Sequence, residues 1–284
     1  MERAYLAVDI GGTKMLAGVV STDGRVIAHD RCDTPSQNVW QSLSRLVSSV
    51  QSKATASELI ACGVGCGGPM SDDGDKVSNL HIKEWSDFPL RSSLAALTGL
   101  PTFVDNDAKA VVLGETWCGA AVGCRDVIGM VVSTGVGGGI ICDGKLLDGH
   151  NGNAGHIGHV NVVPGGRMCK CGAAGCLEAV ASGTAIAAMT GRPAAEASAV
   201  IIEQTGTYVG RAVASVAALL DLRLAVIGGS VALGFGPRFY AAAQAEADRY
   251  ATIQFVRGVQ IRPTGLGADA PLVGAAAVAR RHVR

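Results

Sequence analysis

The stretch Asn151–Ser182 reads NGNAGHIGHVNVVPGGRMCKCGAAGCLEAVAS, and the rest of the 284-residue chain is organised around it. Cys169, Cys171 and Cys176 fall within eight residues, Gly172 and Gly175 lie between the second and third, and His159 precedes them. Zn²⁺ in a structural site takes four N or S ligands in a tetrahedron, from a chain that folds sharply back on itself. Glycine supplies the backbone freedom for such a fold. His156 and Glu178 flank the proposed ligands. The pattern reads as a metal clip that stiffens a loop and turns its polar side chains toward a small ligand. Two other readings stay open: a catalytic zinc with an open position, and disulfides among clustered cysteines. Cys169 and Cys171 are poorly spaced to bridge each other.

The length allows one or two domains with ample core. Hydrophobic residues make up 48% of the chain, yet every apolar run is broken by a charge or a glycine before it is long enough to span a membrane. Met1-Glu2-Arg3 leads straight into an apolar run ending at Asp9, too short for a signal peptide. The formal net charge of +0 provides no basic field for nucleic acid. Of the nine cysteines, Cys32, Cys62, Cys66, Cys118, Cys124 and Cys142 are scattered through mostly apolar surroundings and read as small core residues. That usage fits a reducing cytoplasm.

Outward from the cysteine loop, one pattern occurs twice. An apolar run Tyr5–Val8 meets Asp9-Ile10-Gly11-Gly12-Thr13-Lys14, and Met15–Val20 is apolar again, turning at Thr22-Asp23-Gly24. Val127–Ser133 leads through Thr134-Gly135-Val136-Gly137-Gly138-Gly139 into Ile140–Cys142 and an Asp143-Gly144 turn. Two related lobes, each with its own sheet, are expected. Thr34-Pro35-Ser36 reads as the start of a helix, with Val39, Leu43, Leu46, Val47 and Val50 recurring at helical spacing. A strand is expected at Leu59–Cys66, a polar loop over 70–90, a short helix closed by Gly99, a strand at Thr102–Val104 and a helix over Ala108–Cys118. Beyond the cysteines come helices over Glu178–Met189, Pro193–Gln204 and Tyr208–Leu220, a strand Leu224–Ile227 and a helix from Gly236-Pro237 to Tyr250. A strand Val259–Arg262 and a small-residue helix Pro271–Val283 end the chain.

Phosphate oxygens reach backbone N–H groups where no Cβ intervenes, and both glycine bends suit that contact. Neither has the spacing of a Walker loop or a dinucleotide fingerprint, and each alone is equally a plain hairpin turn. Asp9 can hold Mg²⁺ through water, and Thr13 and Lys14 can touch phosphate oxygens. Asn106-Asp107 follows a strand and opens a helix, which suits an N-cap and equally a carboxylate held still as a general base toward a hydroxyl. Gly228-Gly229-Ser230 is either a strand-to-helix turn or a backbone against which adenine lies.

Together these pieces resemble the ROK family of sugar kinases and sugar-responsive repressors, from Asp9 to about Gly274. The resemblance rests on Asp9–Lys14, Gly67-Gly68-Pro69, Asn106-Asp107, Ser133–Gly139, Gly228-Gly229, Gly155-His156-Ile157-Gly158-His159 and Cys169-x-Cys171-Gly-x-x-Gly175-Cys176-x-Glu178-Ala. It implies an α/β, actin-like (ribonuclease-H-like) ATPase fold in two lobes with a nucleotide and sugar cleft between them. Residues 1–118 with the C-terminal helix 271–284 would form the small lobe, and 119–270, with the zinc loop, the large one. ATP with Mg²⁺ would be bound by Asp9, Gly11, Gly12, Thr13, Lys14, Thr134, Gly135, Val136, Gly137, Gly228 and Gly229. Asp107 would take the proton from the sugar 6-hydroxyl, and Gly68, Asn106, His156, His159 and Glu178 would position the sugar. His159, Cys169, Cys171 and Cys176 would hold structural Zn²⁺, and the protein would be a cytoplasmic homodimer.

One departure bears on the substrate. Most kinases of the family carry Glu where this chain has His156. A carboxylate accepts from two hydroxyls, whereas each imidazole nitrogen offers one donor or acceptor. The Gly-His-Ile-Gly-His run is similar to that of bacterial N-acetylmannosamine kinases, which favours an N-acetylhexosamine over glucose; glucokinase or N-acetylglucosamine kinase activity is the alternative. The region 190–206 is shorter than usual for the family. The rival of another class is a non-catalytic sugar-sensing regulator. The first strand starts by residue 5, which leaves no room in front of it for the helix-turn-helix such repressors carry.

Overall fold

The computed structural model describes residues 1–71, 74–79 and 81–283. Residues 72, 73 and 80, within the expected 70–90 loop, and residue 284 lie outside the described residues. In chain order the elements begin with β1 Glu2–Ile10, β2 Lys14–Ser21, β3 Val26–Asp33, α1 Val39–Lys53 and β4 Ser57–Cys66. Then come β5 Met70–Ser71, β6 Lys76–Val77, β7 Phe88–Pro89, α2 Leu90–Thr98, β8 Thr102–Asn106 and α3 Asp107–Cys118. The middle of the chain holds β9 Val127–Val132, β10 Val136–Cys142, β11 Lys145–Leu146, α4 Leu177–Ala181, α5 Gly183–Thr190, α6 Ala199–Leu220 and β12 Leu224–Gly228. It closes with α7 Ser230–Phe235, α8 Pro237–Tyr250, β13 Gln260–Pro263 and α9 Ala270–His282.

The chain divides into two compact units, residues 1–122, 148–154 and 265–284 in one and residues 123–147 and 155–264 in the other. These boundaries differ from the expected 118/119 and 270/271, and two buried ionic groups account for the difference. Lys109 Nζ donates to Asp148 Oδ1 (3.2 Å) and to the Gly152 carbonyl (2.9 Å), which binds Asp148–Ala154 to α3. The buried Glu115 carboxylate accepts the N–H groups of Ala120, Gly265 and Leu266, drawing 265–266 to the same helix.

In the first unit the sheet order is β3-β2-β1-β4-β8, with β1–β2–β3 antiparallel and β4 and β8 parallel to β1. Both faces of β1 are covered, which is why it reads as an apolar run rather than an alternation. Ala4, Leu6, Val8 and Ile10 pack with Val39, Leu43, Val47 and Val50 of α1. Tyr5 and Ala7 pack with Leu272, Val273, Ala275, Ala276 and Ala279 of α9. The predicted stripe of α1 is its buried face, but the helix starts at Val39 and not at Thr34-Pro35-Ser36. Asn38 is left-handed there, and Glu84 accepts the N–H groups of Asn38 and Val39. Within the expected 70–90 loop, β5, β6 and β7 form a small antiparallel sheet.

The second unit repeats the order as β11-β10-β9-β12-β13, again an antiparallel meander followed by two parallel strands. Its core joins Ile128, Met130 and Val132 of β9 to Val209, Val213 and Ala217 of α6 and Phe239 and Ala243 of α8. The helices expected over 193–204 and 208–220 are one helix, α6, entered from the Ser198 cap. Gly206 and Gly210 do not interrupt it; a Cβ on either would lie 2.4 Å from the Phe239 oxygen or 2.1 Å from the Ala243 oxygen. Those glycines let α8 approach. The helix expected over 178–189 is two, divided at Ser182, whose Oγ caps the second by accepting from Ala185 N–H.

Candidate functional site

In the first unit the β1–β2 turn carries Gly11, Gly12, Thr13 and Lys14. Gly11 N–H donates to the Lys14 carbonyl (3.0 Å), closing the turn. A Cβ on Gly12 would lie 2.4 Å from His81 Cβ, so this position excludes any side chain. Asp9, one residue from the end of β1, pairs in register with Gly65 of β4, which pairs with Asp105 of β8. A Cβ on Gly65 would meet Asp9 Oδ1 at 3.5 Å and Asp107 Cα at 3.6 Å, so the two expected acidic residues converge on that glycine. By surface area Asp9 is half-buried, but its carboxyl lies deep among these strands. Burial, then the charge of Asp107, push its pKa up to about 7 against the opposing pull of Lys14.

Asp107 is the first residue of α3. Asn106 is its N-cap: Asn106 Oδ1 and Asp107 Oδ1 both accept from Ala108 N–H, at 3.0 and 2.8 Å. The capping reading therefore holds, and the cap also fixes the Asp107 carboxylate. One turn on, the buried Lys109 faces Asp105 Oδ1 (3.3 Å) as well as Asp148, and Arg281 of α9 pairs with both aspartates. Gly68 precedes Pro69 across a cis bond, and Asn79 backs this bend: its Nδ2 lies 3.1 Å from where a Gly67 Cβ would be and donates to Cys66 Sγ. The sequence reading missed Asn79, Lys109 and Glu115, because the partners that explain them are distant in the chain.

In the second unit Thr134, Gly135, Val136 and Gly137 form the β9–β10 turn and the start of β10. Gly228 ends β12 and Gly229, at φ +94°, follows; a Cβ on Gly229 would lie 2.4 Å from the Val132 oxygen. Ser230 Oγ and Ser133 Oγ are 2.9 Å apart. The expected nucleotide residues of this unit thus lie together. Glu178 Oε2 accepts Val136 N–H (3.1 Å), so that donor already has a carboxylate partner.

His159, Cys169, Cys171 and Cys176 converge, with one ligand atom from each, all within 4.8 Å of one another. Cys171 Sγ lies 3.6 Å from Cys176 Sγ, and Cys169 Sγ lies 3.8 Å from His159 Nδ1. Tetrahedral Zn–S bonds of about 2.3 Å place sulfurs about 3.8 Å apart, so the donor set and spacing fit the ion. All nine cysteines are free here, and the three clustered thiols gather with His159 rather than forming a bridge. The knuckle is built on backbone bonds: Cys169 N–H to Ala173 O, and Gly175 N–H to Arg167 O, each 2.8 Å. The Ala173 N–H and the neighbouring thiols draw Cys171 down to about 7, whereas burial pushes the Cys176 thiol up. His156 is exposed at the start of the short turn Ile157–His159, its ring centroid 6.0 Å from that of His159. Gly68, Asn106 and Asp107 thus belong to the first unit and His156, His159 and Glu178 to the second.

The ROK family model matches residues 5–282. The chain belongs to the ROK family. It is 32% identical over 314 residues to a glucokinase of Halalkalibacterium halodurans, an alignment covering 96% of this chain and 94% of that one. It is 36% identical over 251 residues to an N-acetylmannosamine kinase of Escherichia fergusonii, covering 81% and 84%. Among solved structures, a ROK family glucokinase from Streptomyces griseus, in complex with glucose and AMPPNP, superposes with a TM-score of 0.84 at 30% identity, covering 98% of this chain and 99% of that one. The fold is the actin-like, ribonuclease-H-like ATPase fold that ROK sugar kinases share, with one five-stranded sheet in each unit. Among the described residues no helix is long and apolar enough to cross a membrane.

Proposed function

We infer that this chain is an ATP-dependent sugar kinase that phosphorylates the 6-hydroxyl of an N-acetylhexosamine, N-acetylmannosamine ahead of glucose. The placement of Asp107 is the observation that carries the reading. Its carboxylate is fixed at the N-terminus of α3, where the helix dipole favours negative charge, beside the buried Asp9. Phosphoryl transfer asks for in-line positioning and charge neutralisation more than covalent chemistry. Asp107 orients the acceptor hydroxyl and takes its proton as the oxygen attacks the γ-phosphorus. Lys14 and the N–H groups of the two glycine hairpins stabilise charge on the phosphate oxygens. Mg²⁺, when bound with ATP, neutralises part of that charge, and Asp9 is the residue placed to hold its water shell.

Zn²⁺ held by His159, Cys169, Cys171 and Cys176 supplies a crosslink and no chemistry of its own. With Nδ1 facing Cys169, His159 keeps Nε2 for a sugar hydroxyl. Asn106, Gly68, His156 and Glu178 complete the sugar contacts, and His156 in place of a carboxylate supports the N-acetylated substrate. The protein acts in the cytoplasm as a homodimer. The test is ADP release with MgATP and, in turn, glucose, mannose, N-acetylglucosamine and N-acetylmannosamine. The highest kcat/KM is expected for N-acetylmannosamine. A preference for glucose would make the chain a glucokinase, and no ADP with any sugar would leave the sugar-sensing regulator.

A further inference from the structure

The two glycine hairpins are each gripped from behind by a threonine that lies outside the glycine motifs. In the first unit Thr34, just beyond β3, donates its Oγ1 hydrogen to the Gly11 carbonyl (2.8 Å) and its N–H to the Thr13 carbonyl (3.0 Å). In the second, Thr184 in the first turn of α5 donates Oγ1 to the Thr134 carbonyl (2.9 Å), while Gly183 N–H takes the Ser133 carbonyl (2.7 Å). The two threonines come from unlike elements, a strand end and a helix start, yet each places a hydroxyl on a turn carbonyl. A trans peptide is planar, so its C=O and the following N–H point to opposite sides. Fixing the Gly11 oxygen aims Gly12 N–H away from Thr34. Fixing the Thr134 oxygen aims Gly135 N–H away from Thr184.

We propose that Thr34 and Thr184 are positioning residues for the phosphoryl donor, each presetting one peptide plane of a glycine hairpin so that its N–H faces the phosphates before nucleotide arrives. This rests on the assignment of both hairpins to ATP. Glycine peptides reorient readily because no Cβ restricts them. Donors fixed in advance need no reorganisation when charge develops, and that is where preorganisation acts on rate.

The experiment compares Thr34→Val and Thr184→Val with the serine variants Thr34→Ser and Thr184→Ser. Valine keeps the β-branched shape and the backbone N–H and removes only the hydroxyl; serine keeps the hydroxyl. One net hydrogen bond corresponds to about three- to tenfold. Thr34→Val is expected to lower kcat/KM for ATP, and AMPPNP affinity by calorimetry, by about that factor, with the KM for sugar unchanged and serine within about twofold of wild type. Thr184 is exposed, so water partly replaces its hydroxyl and the loss is smaller. Valine variants equal to wild type toward nucleotide overturn the proposal, as do ATP and sugar constants that fall in parallel with the melting temperature. If wild type binds AMPPNP but turns over no sugar, the kinase reading fails while the binding comparison still decides the threonines. If it binds no AMPPNP, both fall.

Discussion

The two units carry the same sheet order and opposite chemistry. Each has an antiparallel meander, a glycine turn after its first strand and two parallel strands beyond. In the first unit the residue opposite Gly65 in the neighbouring strand is Asp9, a buried carboxylate. In the second, the residue opposite Gly228 is Val131, and this unit instead holds three thiols and an imidazole within 4.8 Å. One unit gathers carboxylates at the ends of its strands, and the other gathers thiols and an imidazole in a loop.

The largest effect expected from this division is on chemistry in the first unit. Asp107→Asn should lower kcat by about 10³-fold with sugar affinity nearly intact, measured by steady-state kinetics and by calorimetry with the sugar alone. Wild-type turnover in that variant would remove Asp107 as the base. Next is the proposed metal clip of the second unit. Chelation, or Cys171→Ser, should abolish sugar binding while circular dichroism still shows most of the fold, since the ion orders a loop and not the sheet. Full sugar affinity in metal-free protein would deny the loop a positioning role.

A third test reads the buried carboxylate through pH. Asp9 has a folded pKa near 7 against 3.8 for the ordinary group. A raised pKa means that the native state holds the proton more tightly than the unfolded chain. The associated stability is full below pH 3.8 and is lost as pH rises through about 7. The loss is at most about 4 kcal/mol, and less to the extent that water reaches the half-buried residue. Asp9→Asn does not titrate, so denaturant titrations of the free protein should show it gaining on wild type between pH 4 and 8. Parallel stability curves across that range would contradict the raised pKa of Asp9. The smallest effect expected is on the anchor of Asp148–Ala154 to α3. Lys109→Met leaves Asp105 and Asp148 with Arg281 as their one remaining cation among the described residues and should cost about 1–3 kcal/mol, visible as a lower melting temperature.

Local patterns made much of this legible. The α1 stripe, the two strand–glycine–strand units and the Cys/His cluster are each encoded within a few turns of chain. What escaped the sequence depends on distant partners. Gly206 and Gly210 look like helix breaks until Phe239 and Ala243 supply the surface they admit. Lys109 looks like a solvated charge on an alanine-rich helix until Asp148, thirty-nine residues on, is laid beside it. Thr34 reads as a helix start, whereas its hydroxyl is committed backward to Gly11. The convergence of His159, Cys169, Cys171 and Cys176 was readable because all four lie within one short segment. Asn106-Asp107 was marked locally only as a strand-to-helix junction, and Gly68 was singled out only through family resemblance.

Neither unit is an unbroken run of sequence, because α9 and Asp148–Ala154 complete a body begun at the other end of the chain. A fragment stopped at residue 122 would leave Tyr5, Ala7 and Ala61 wet, lacking the Leu272–Ala279 face that dries them. During synthesis the first half must therefore wait, exposed, until α9 has left the ribosome. Split-gene versions of this protein should fail as separate pieces and succeed, if at all, only when both are made together.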